Sequence, residues 1–150
     1  SVEEVRLESM NFTAQLELFK RTTILFAVHG QALSNVLFMR EGGVVILVNE
    51  PGLGGLKWVF GNLVVACGLH VIAIRHPEDR CRQAAGWGGV RDHTNFNSNR
   101  KEGSDLDPGL FAQALAKATE LRRKHNREGG DTGGSLTMIP GECDEDFLGL

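Results

Sequence analysis

The chain has 150 residues, of which 41% are apolar and 23% are charged, and its net charge is −3. This length and apolar content suit one domain with a core of its own, whereas the charge and the lack of a basic patch interleaved with aromatic residues argue against a nucleic-acid partner. The sequence shows no signal peptide and no apolar run of membrane-spanning length.

The first elements alternate between short apolar runs and an amphipathic segment. Val2 to Leu7 is typical of a short strand, and because this pattern begins almost at Ser1 we expect the chain to be a piece of a longer protein. Asn11 can cap a helix over residues 12–22, whose apolar residues share one face. Residues 23–28 are a continuous apolar run, which predicts a strand buried on both faces.

Strands and helices continue to alternate through the middle of the chain. In order they are a helix that begins near Gln31 and packs through Leu33, Val36 and Leu37, a buried strand over 44–48, a helix over 54–67 that Gly68 ends, and a strand over 69–76. This alternation predicts an α/β fold, with a Rossmann-like parallel sheet and helices on both faces. The strands near Leu25 and Ile46 should lie in its centre because both runs are apolar throughout.

The second half of the chain departs from this pattern. Residues 77–105 show little periodicity, which predicts a long irregular loop. Residues 128–150 are rich in glycine and acidic side chains, which predicts a disordered tail. We therefore assign residues 1–127 to one Rossmann-like domain that contains the loop.

The last predicted helix lies between the loop and the tail. Asp107 can cap it, and Pro108 suits its first position. Phe111, Leu115 and Ala118 should face the core.

The three cysteines have no CxxC spacing. A zinc site is therefore disfavoured, and an odd number cannot form a complete disulfide framework. Cys67 lies in an apolar helical run and is interpreted as a core residue, and one bridge between Cys81 and Cys143 remains open.

The turn after residues 23–28 is the candidate binding site. Ligands bind beyond the carboxyl ends of parallel strands, and Gly30 lets the backbone approach a ligand closely or adopt a positive φ. The following helix N-terminus offers unpaired N–H groups to a phosphate, and Ser34 and Asn35 can donate hydrogen bonds there. The same features suit a tight turn that includes His29 and has no ligand, and the spacing is neither GxGxxG nor a P-loop.

The stretch from Thr22 to Val48 resembles the C-terminal segment of the family 61 glycosyltransferases. That family has the run His-Gly-Ala-Gly/Ala-Leu-Thr/Ser-Asn, followed by an apolar helix, a glycine turn and a valine-rich strand. The matching residues are His29, Gly30, Ala32, Leu33, Ser34, Asn35, Phe38, Glu41 and Gly42. The resemblance extends over residues 5–76, and in the upstream helix the family's pattern is followed by Phe12, Gln15, Leu18 and Phe19.

Three positions depart from the family's pattern. Gln31 replaces a usual alanine and would place a long polar side chain at the mouth of the site, which leaves the donor sugar open. Ala14 stands where an acid is expected, and His70 where a tyrosine is common.

The resemblance implies one half of a GT-B arrangement, in which two Rossmann-like domains face a cleft. The C-terminal domain, which this chain would be, binds the nucleotide sugar. The expected partners are a UDP-sugar, a glycan or glycoprotein acceptor and the missing N-terminal domain of the same protein, with the Golgi or endoplasmic reticulum lumen as location. Transfer is expected to invert the anomeric carbon and to need no cofactor and no metal, and Asp105-Leu106-Asp107 is interpreted as a helix cap rather than a metal motif.

The donor contacts that the resemblance implies lie in two places. They are His29, Gly30, Gln31, Ala32, Leu33, Ser34, Asn35 and, at the next strand end, Glu50. We expect Gly30 to lie nearest the ligand and His29 and Asn35 to flank the diphosphate. Glu50 can bind ribose hydroxyls or be a solvated acid at the strand end.

No catalytic residue is assigned, because the general base is expected on the other domain. His76, His93 and His125 lack ligand spacing and are interpreted as surface residues. The alternative function is a Rossmann-like module that binds a nucleotide or a protein without catalysis.

Overall fold

The computed structural model describes residues 2–28, 30–48, 57–74, 107–130 and 133–139, apart from the side chains of residues 57–59 and 138. In these ranges four parallel strands form one sheet in the order β1-β2-β3-β4. The strands are β1 (Ile24–Val28), β2 (Val44–Val48), β3 (His70–Ile74) and β4 (Ser135–Ile139). The prediction of an α/β, Rossmann-like parallel sheet is confirmed.

Helices of two kinds accompany the sheet. The 3₁₀ helices are η1 (Leu7–Ser9) and η2 (Gln31–Phe38), and the α-helices are α1 (Phe12–Arg21), α2 (Lys57–Ala66) and α3 (Pro108–Arg127). The Asn11 side chain accepts a hydrogen bond from the Ala14 amide in α1, and the Asp107 side chain accepts one from the Gly109 amide in α3. Both predicted caps are therefore confirmed. No described helix combines the length and the apolar character that crossing a membrane requires.

The sheet separates two apolar clusters. One cluster joins α1, η2 and α2 to one face through Phe19, Leu33, Val36, Met39, Val45, Leu47, Val64, Leu69 and Val71. The other joins α3 to the opposite face through Val44, Ile46, Val48, Ile72, Ile74, Leu110, Ala114, Ala118 and Ile139. Helices cover both faces, as predicted, because alternate residues of the central strands point to opposite sides.

The position of β1 differs from the prediction. β2 and β3 are fully buried and central, but β1 is an edge strand of the described sheet, and Phe26 and Val28 are 44% and 49% exposed. An apolar run does not distinguish a central strand from an edge strand that is partly covered, because composition carries no information on pairing.

The burial of η2 also corrects the sequence prediction. Leu33, Val36 and Met39 are buried at intervals of three residues, whereas Leu37 is 57% exposed. A period of three matches the three residues per turn of a 3₁₀ helix, so this segment turns more tightly than the predicted α-helix.

Two predictions in the second half of the chain are wrong in part. Residues 135–139 form β4 instead of belonging to a disordered tail, because this short run carries apolar residues that pair with and pack beside β3. In α3 the prediction of an inward face is confirmed for Ala118 and wrong for Leu115, which is 42% exposed; the buried positions are Leu110, Ala114 and Ala118. Ala114 and Ala118 are small, so they let α3 approach the sheet closely. The prediction had instead placed the larger side chains of Phe111 and Leu115 toward the core.

At the other end of the chain the predicted strand over Val2 to Leu7 is absent from the described residues; Leu7–Ser9 forms η1 instead. The helix over 54–67 is confirmed for Lys57–Ala66, and Gly68 ends it with a φ of 70°. The predicted loop over 77–105 and the possible Cys81–Cys143 bridge lie outside the described residues.

Candidate functional site

The candidate site lies where β1 gives way to η2. Val28 is the last residue of β1, and η2 begins at Gln31, so Gly30 lies directly before the first helical turn. His29 and Glu50 lie outside the described residues, and their contacts with a donor stay predictions.

The backbone of Gly30 is extended, and no described atom crowds the position of its missing side chain. Its φ is 177° and its ψ is 169°, so the predicted alternative of a positive φ is wrong. A Cβ atom placed on Gly30 would have no heavy atom within 4 Å among the described contacts. Neither its backbone conformation nor a described neighbour therefore requires a glycine here, and no described atom fills the space beside it.

The first turn of η2 presents backbone donors. Gln31 and Ala32 are exposed, and the hydrogen bond from the Leu33 amide to the Gly30 carbonyl, 3.0 Å, closes the first turn. The amides of Gln31 and Ala32 precede this bond and can donate to a ligand. The aligned peptide dipoles add a partial positive charge at the same end, which favours an anion.

Leu33 and Ser34 stabilise this turn. Leu33 is 2% exposed and anchors η2 in the core beside the sheet. The Ser34 hydroxyl donates to the Gln31 carbonyl over 2.8 Å, so its proton is used within η2. Ser34 is exposed, and its oxygen can still accept a hydrogen bond from a sugar hydroxyl.

Asn35 is part of a hydrogen-bond network with α1. Its Nδ2 atom donates to Gln15 Oε1 over 3.1 Å. Gln15 Nε2 donates in turn to the carbonyls of Leu7 and Met10, over 2.9 and 3.1 Å. The structure thus gives Asn35 a role in holding η2 against α1, and its expected contact with the diphosphate stays a prediction.

Gln15 is a residue whose role the sequence did not indicate. Its side chain links η1, α1 and η2, but a single glutamine on a helix carries no signal of such a network. The available hint was that it follows the family's pattern upstream of the strand.

His70 is the described residue with a clear electrostatic perturbation, and it lies at the opposite end of the sheet. It is 3% exposed, and burial, followed by the positive charges of His125, Arg122 and Lys124, lowers its pKa from the usual value of 6.5. His125 is partly buried, because its ring packs against Gly42 and lies near the His70 ring, so its interpretation as a surface residue holds only in part. This cluster is separate from the β1–η2 junction.

The described residues contain no group of three or more histidine, cysteine, aspartate or glutamate side chains that could hold a metal ion. A second Asp-x-Asp, residues 144–146, lies outside these residues. Metal independence therefore stays a prediction.

Comparison with known proteins adds one finding. Residues 1–46 match the family model Glycosyltransferase 61. The match spans α1, β1 and η2 and ends within β2, so it includes the candidate site from Gly30 to Asn35. No curated protein and no solved structure matches the chain significantly. The predicted family resemblance is thus supported over the first third of the chain, and it points to a glycosyltransferase.

Proposed function

We propose that the chain is the donor-binding part of a glycosyltransferase, which transfers a sugar from a UDP-sugar to a hydroxyl of a glycan or protein. The observation that carries this proposal is the family match over residues 1–46, because it includes the β1–η2 junction. At that junction open space beside Gly30 adjoins the exposed first turn of η2.

The chemistry assigned to this junction is stabilisation of the leaving diphosphate. Negative charge develops on the phosphate as the bond to the anomeric carbon breaks. The amides of Gln31 and Ala32 and the dipole of η2 can oppose that charge without a large rearrangement. His29 supplies an additional donor in this proposal, and its imidazolium form also supplies a positive charge.

Catalysis needs groups beyond this junction. Inversion requires a base beside the acceptor hydroxyl, and we place that base and the acceptor surface on another domain of the full-length protein. We further propose that donor cleavage needs no divalent metal, and that the full-length protein works in the Golgi or endoplasmic reticulum lumen. The chain alone is then expected to show no turnover with a UDP-sugar and an acceptor.

A protein-interaction role is the second candidate, and the exposed edge of the sheet favours it. Phe26 and Val28 of β1 are partly exposed, and the Phe26 ring meets the Phe111 ring of α3 at a centroid distance of 5.0 Å. Leu115 on α3 is also exposed. These apolar side chains lie on the α3 side of an edge strand, where a further chain or domain can pack.

Saturation-transfer NMR with UDP, UDP-sugars and uridine distinguishes the two candidates. Donor binding predicts saturation of the uridine protons of UDP and UDP-sugars, and weaker saturation for free uridine, which lacks the diphosphate. A folded chain that shows no transfer to any of the three ligands would contradict the donor-binding proposal and favour the interaction module.

A further inference from the structure

His70 and Ser135 join β3 to β4 at the amino end of the sheet. The two residues are the first of their strands and are paired in the parallel register. The His70 Nδ1 and Ser135 Oγ atoms lie 2.8 Å apart. His70 Nε2 is buried and has no hydrogen-bond partner among the described residues. The ring therefore holds β4 through one nitrogen, while the other nitrogen lies in a site without a described acceptor.

The end of α3 covers this junction. The His70 and His125 ring centroids are 6.4 Å apart with an interplanar angle of 79°. The His125 ring also occupies the place that a Cβ atom on Gly42 would take. Arg122 Nη1 donates to the Gly42 carbonyl over 2.8 Å. The last turns of α3 are thus fixed to the same end of the sheet as the histidine.

The charged groups that act on His70 come mainly from α3. Arg122, Lys124 and His125 lie close enough to oppose a positive charge on its ring. β4 contributes Ser135, which carries no charge. Glu41, in the turn before β2, lies against Gly68 and is exposed, and no effect of Glu41 on His70 is resolved. A protonated His70 would therefore be a buried cation facing other cations.

We propose that the His70–Ser135 junction is an acid-sensitive latch, which holds β4 in the sheet while His70 is neutral and releases β4 when His70 takes up a proton. Whichever ring nitrogen carries the proton in the neutral form, proton uptake gives the buried ring a positive charge and leaves an N–H at Nε2 with no described acceptor. Release of β4 exposes the ring to water, where this charge is solvated. The proton comes from solvent, and no covalent bond changes.

The direction of the pH dependence follows from the lowered pKa of His70 in the folded sheet. An exposed histidine takes up its proton near pH 6.5, at about its unperturbed pKa. Below that pH the released form binds more protons than the latched form, so release is favoured as the pH falls toward the lowered pKa. Above about pH 6.5 both forms are neutral and the latch has its full strength.

Hydrogen–deuterium exchange of the full chain tests the latch. Amide protection in residues 135–139 is measured at about pH 7.5 and about pH 5.5, with correction for the intrinsic exchange rates. We expect protection to fall at the lower pH by up to about tenfold, because pH 5.5 lies about one unit below the pKa of an exposed histidine. The His70→Phe variant keeps a ring but cannot take up a proton, and its protection should be the same at both values.

A second variant tests the latch without a substitution at the buried His70 itself. Lys124 is 61% exposed at its side chain, and Lys124→Gln removes one charge that opposes protonation of His70. Its loss of protection at the lower pH should be smaller than that of the wild type. Lys117→Gln is the matched control on the same helix, because Lys117 is not among the groups that shift the His70 pKa.

Two outcomes would overturn the latch. One is protection of residues 135–139 that is equal at both pH values in the wild type. The other is a pH response that the variants do not change. In that case Lys124→Gln loses as much protection at the lower pH as Lys117→Gln, and a folded His70→Phe variant loses as much as the wild type. Both readouts follow β4 and not a nucleotide, so they are independent of the proposed glycosyltransferase function.

Discussion

Asn35 Nδ2 donates a hydrogen bond to Gln15 Oε1 over 3.1 Å and thereby joins η2 to α1. The other end of the Gln15 amide donates to the Leu7 and Met10 carbonyls. One side chain thus connects the segment before α1, α1 itself and the helix that carries the candidate site. The orientation of η2 depends on this network as well as on the burial of Leu33 and Val36.

Asn35→Ala should destabilise the fold. The change removes one hydrogen bond and leaves the partly buried Gln15 Oε1 without its described donor, which costs about 0.5–1.5 kcal/mol. Urea unfolding measures this cost. Asn62→Ala on the exposed surface of α2 is the matched control and should not lower the free energy of unfolding. Equal free energies for the Asn35 and Asn62 variants would show that the network contributes nothing.

Gly42→Ala should destabilise the chain for two reasons. Gly42 has a φ of 69°, and a Cβ atom there would collide with the His125 ring. The left-handed backbone alone costs about 1–2 kcal/mol for a residue with a Cβ. Gly129 has a nearly identical φ of 71° but open space around its Cβ position, so Gly129→Ala isolates the backbone cost. The free energy of unfolding should fall further for Gly42→Ala than for Gly129→Ala.

A double-mutant comparison can assign the additional loss of unfolding free energy in Gly42→Ala to His125. In a His125→Ala background the Gly42→Ala change should cost about as much as Gly129→Ala, because the colliding ring is gone. If Gly42→Ala still costs more unfolding free energy than Gly129→Ala in that background, a contact other than the one with His125 causes the difference.

Gly134→Ala should weaken the docking of β4. A Cβ atom at Gly134 would collide with the carbonyl oxygens of Val65 and Leu69, which are backbone atoms that cannot turn aside. Overpacking of this kind costs about 1–3 kcal/mol. Gly61→Ala within α2 is the contrasting change, because no atom of the described residues outside its own helix backbone lies within 4 Å of its Cβ position. It should stabilise the helix by about 0.5–1 kcal/mol.

Thermal unfolding compares these two alanine variants directly. The unfolding midpoint should fall for Gly134→Ala and rise for Gly61→Ala. A midpoint that does not fall in Gly134→Ala would mean that the close approach of Gly134 to Val65 and Leu69 does not hold β4.

The elements that the sequence predicts well are those with strong local signals. Asn11 and Asp107 are caps because their short side chains reach the free amides of the next turn, and both positions are readable without a structure. The strand over 44–48 is confirmed because it is apolar at every position and buried on both faces. The α/β class follows from this alternation of helices and strands.

The incorrect predictions concern relationships that local sequence does not encode. The sequence of residues 24–28 does not indicate whether β1 pairs with one strand or with two; in the described sheet it pairs with β2 alone. β4 is a five-residue run beside several glycines, and its place depends on pairing with β3. Likewise, the Gln15–Asn35 bond joins side chains twenty positions apart, and the contact of His125 with Gly42 depends on where α3 ends on the sheet.

The turn proposed as the candidate site lies where the sequence places it, between β1 and η2, and its contacts with a donor stay predictions. The sequence located the turn after β1 and the exposed first turn of η2, and the match over residues 1–46 includes both. It did not show that Gly30 is extended, because either backbone conformation suits a glycine before a helix. His29 and Glu50, for which donor contacts were also predicted, lie outside the described residues.

Calorimetric titration of the chain with UDP, in the wild type and in Gly30→Val, tests the donor-binding proposal most directly. The open space and extended backbone at Gly30 mean that valine should leave the free energy of unfolding unchanged while blocking the approach of a diphosphate. Ala116→Val, on the exposed outer face of α3, is the control for adding the same side chain elsewhere. We predict that the wild type and Ala116→Val bind UDP equally and that Gly30→Val binds at least about tenfold more weakly, a loss of about 1.4 kcal/mol. A folded wild type that does not bind UDP, or a Gly30→Val variant that binds it as tightly as the wild type, would contradict the assignment of the β1–η2 junction as the donor site.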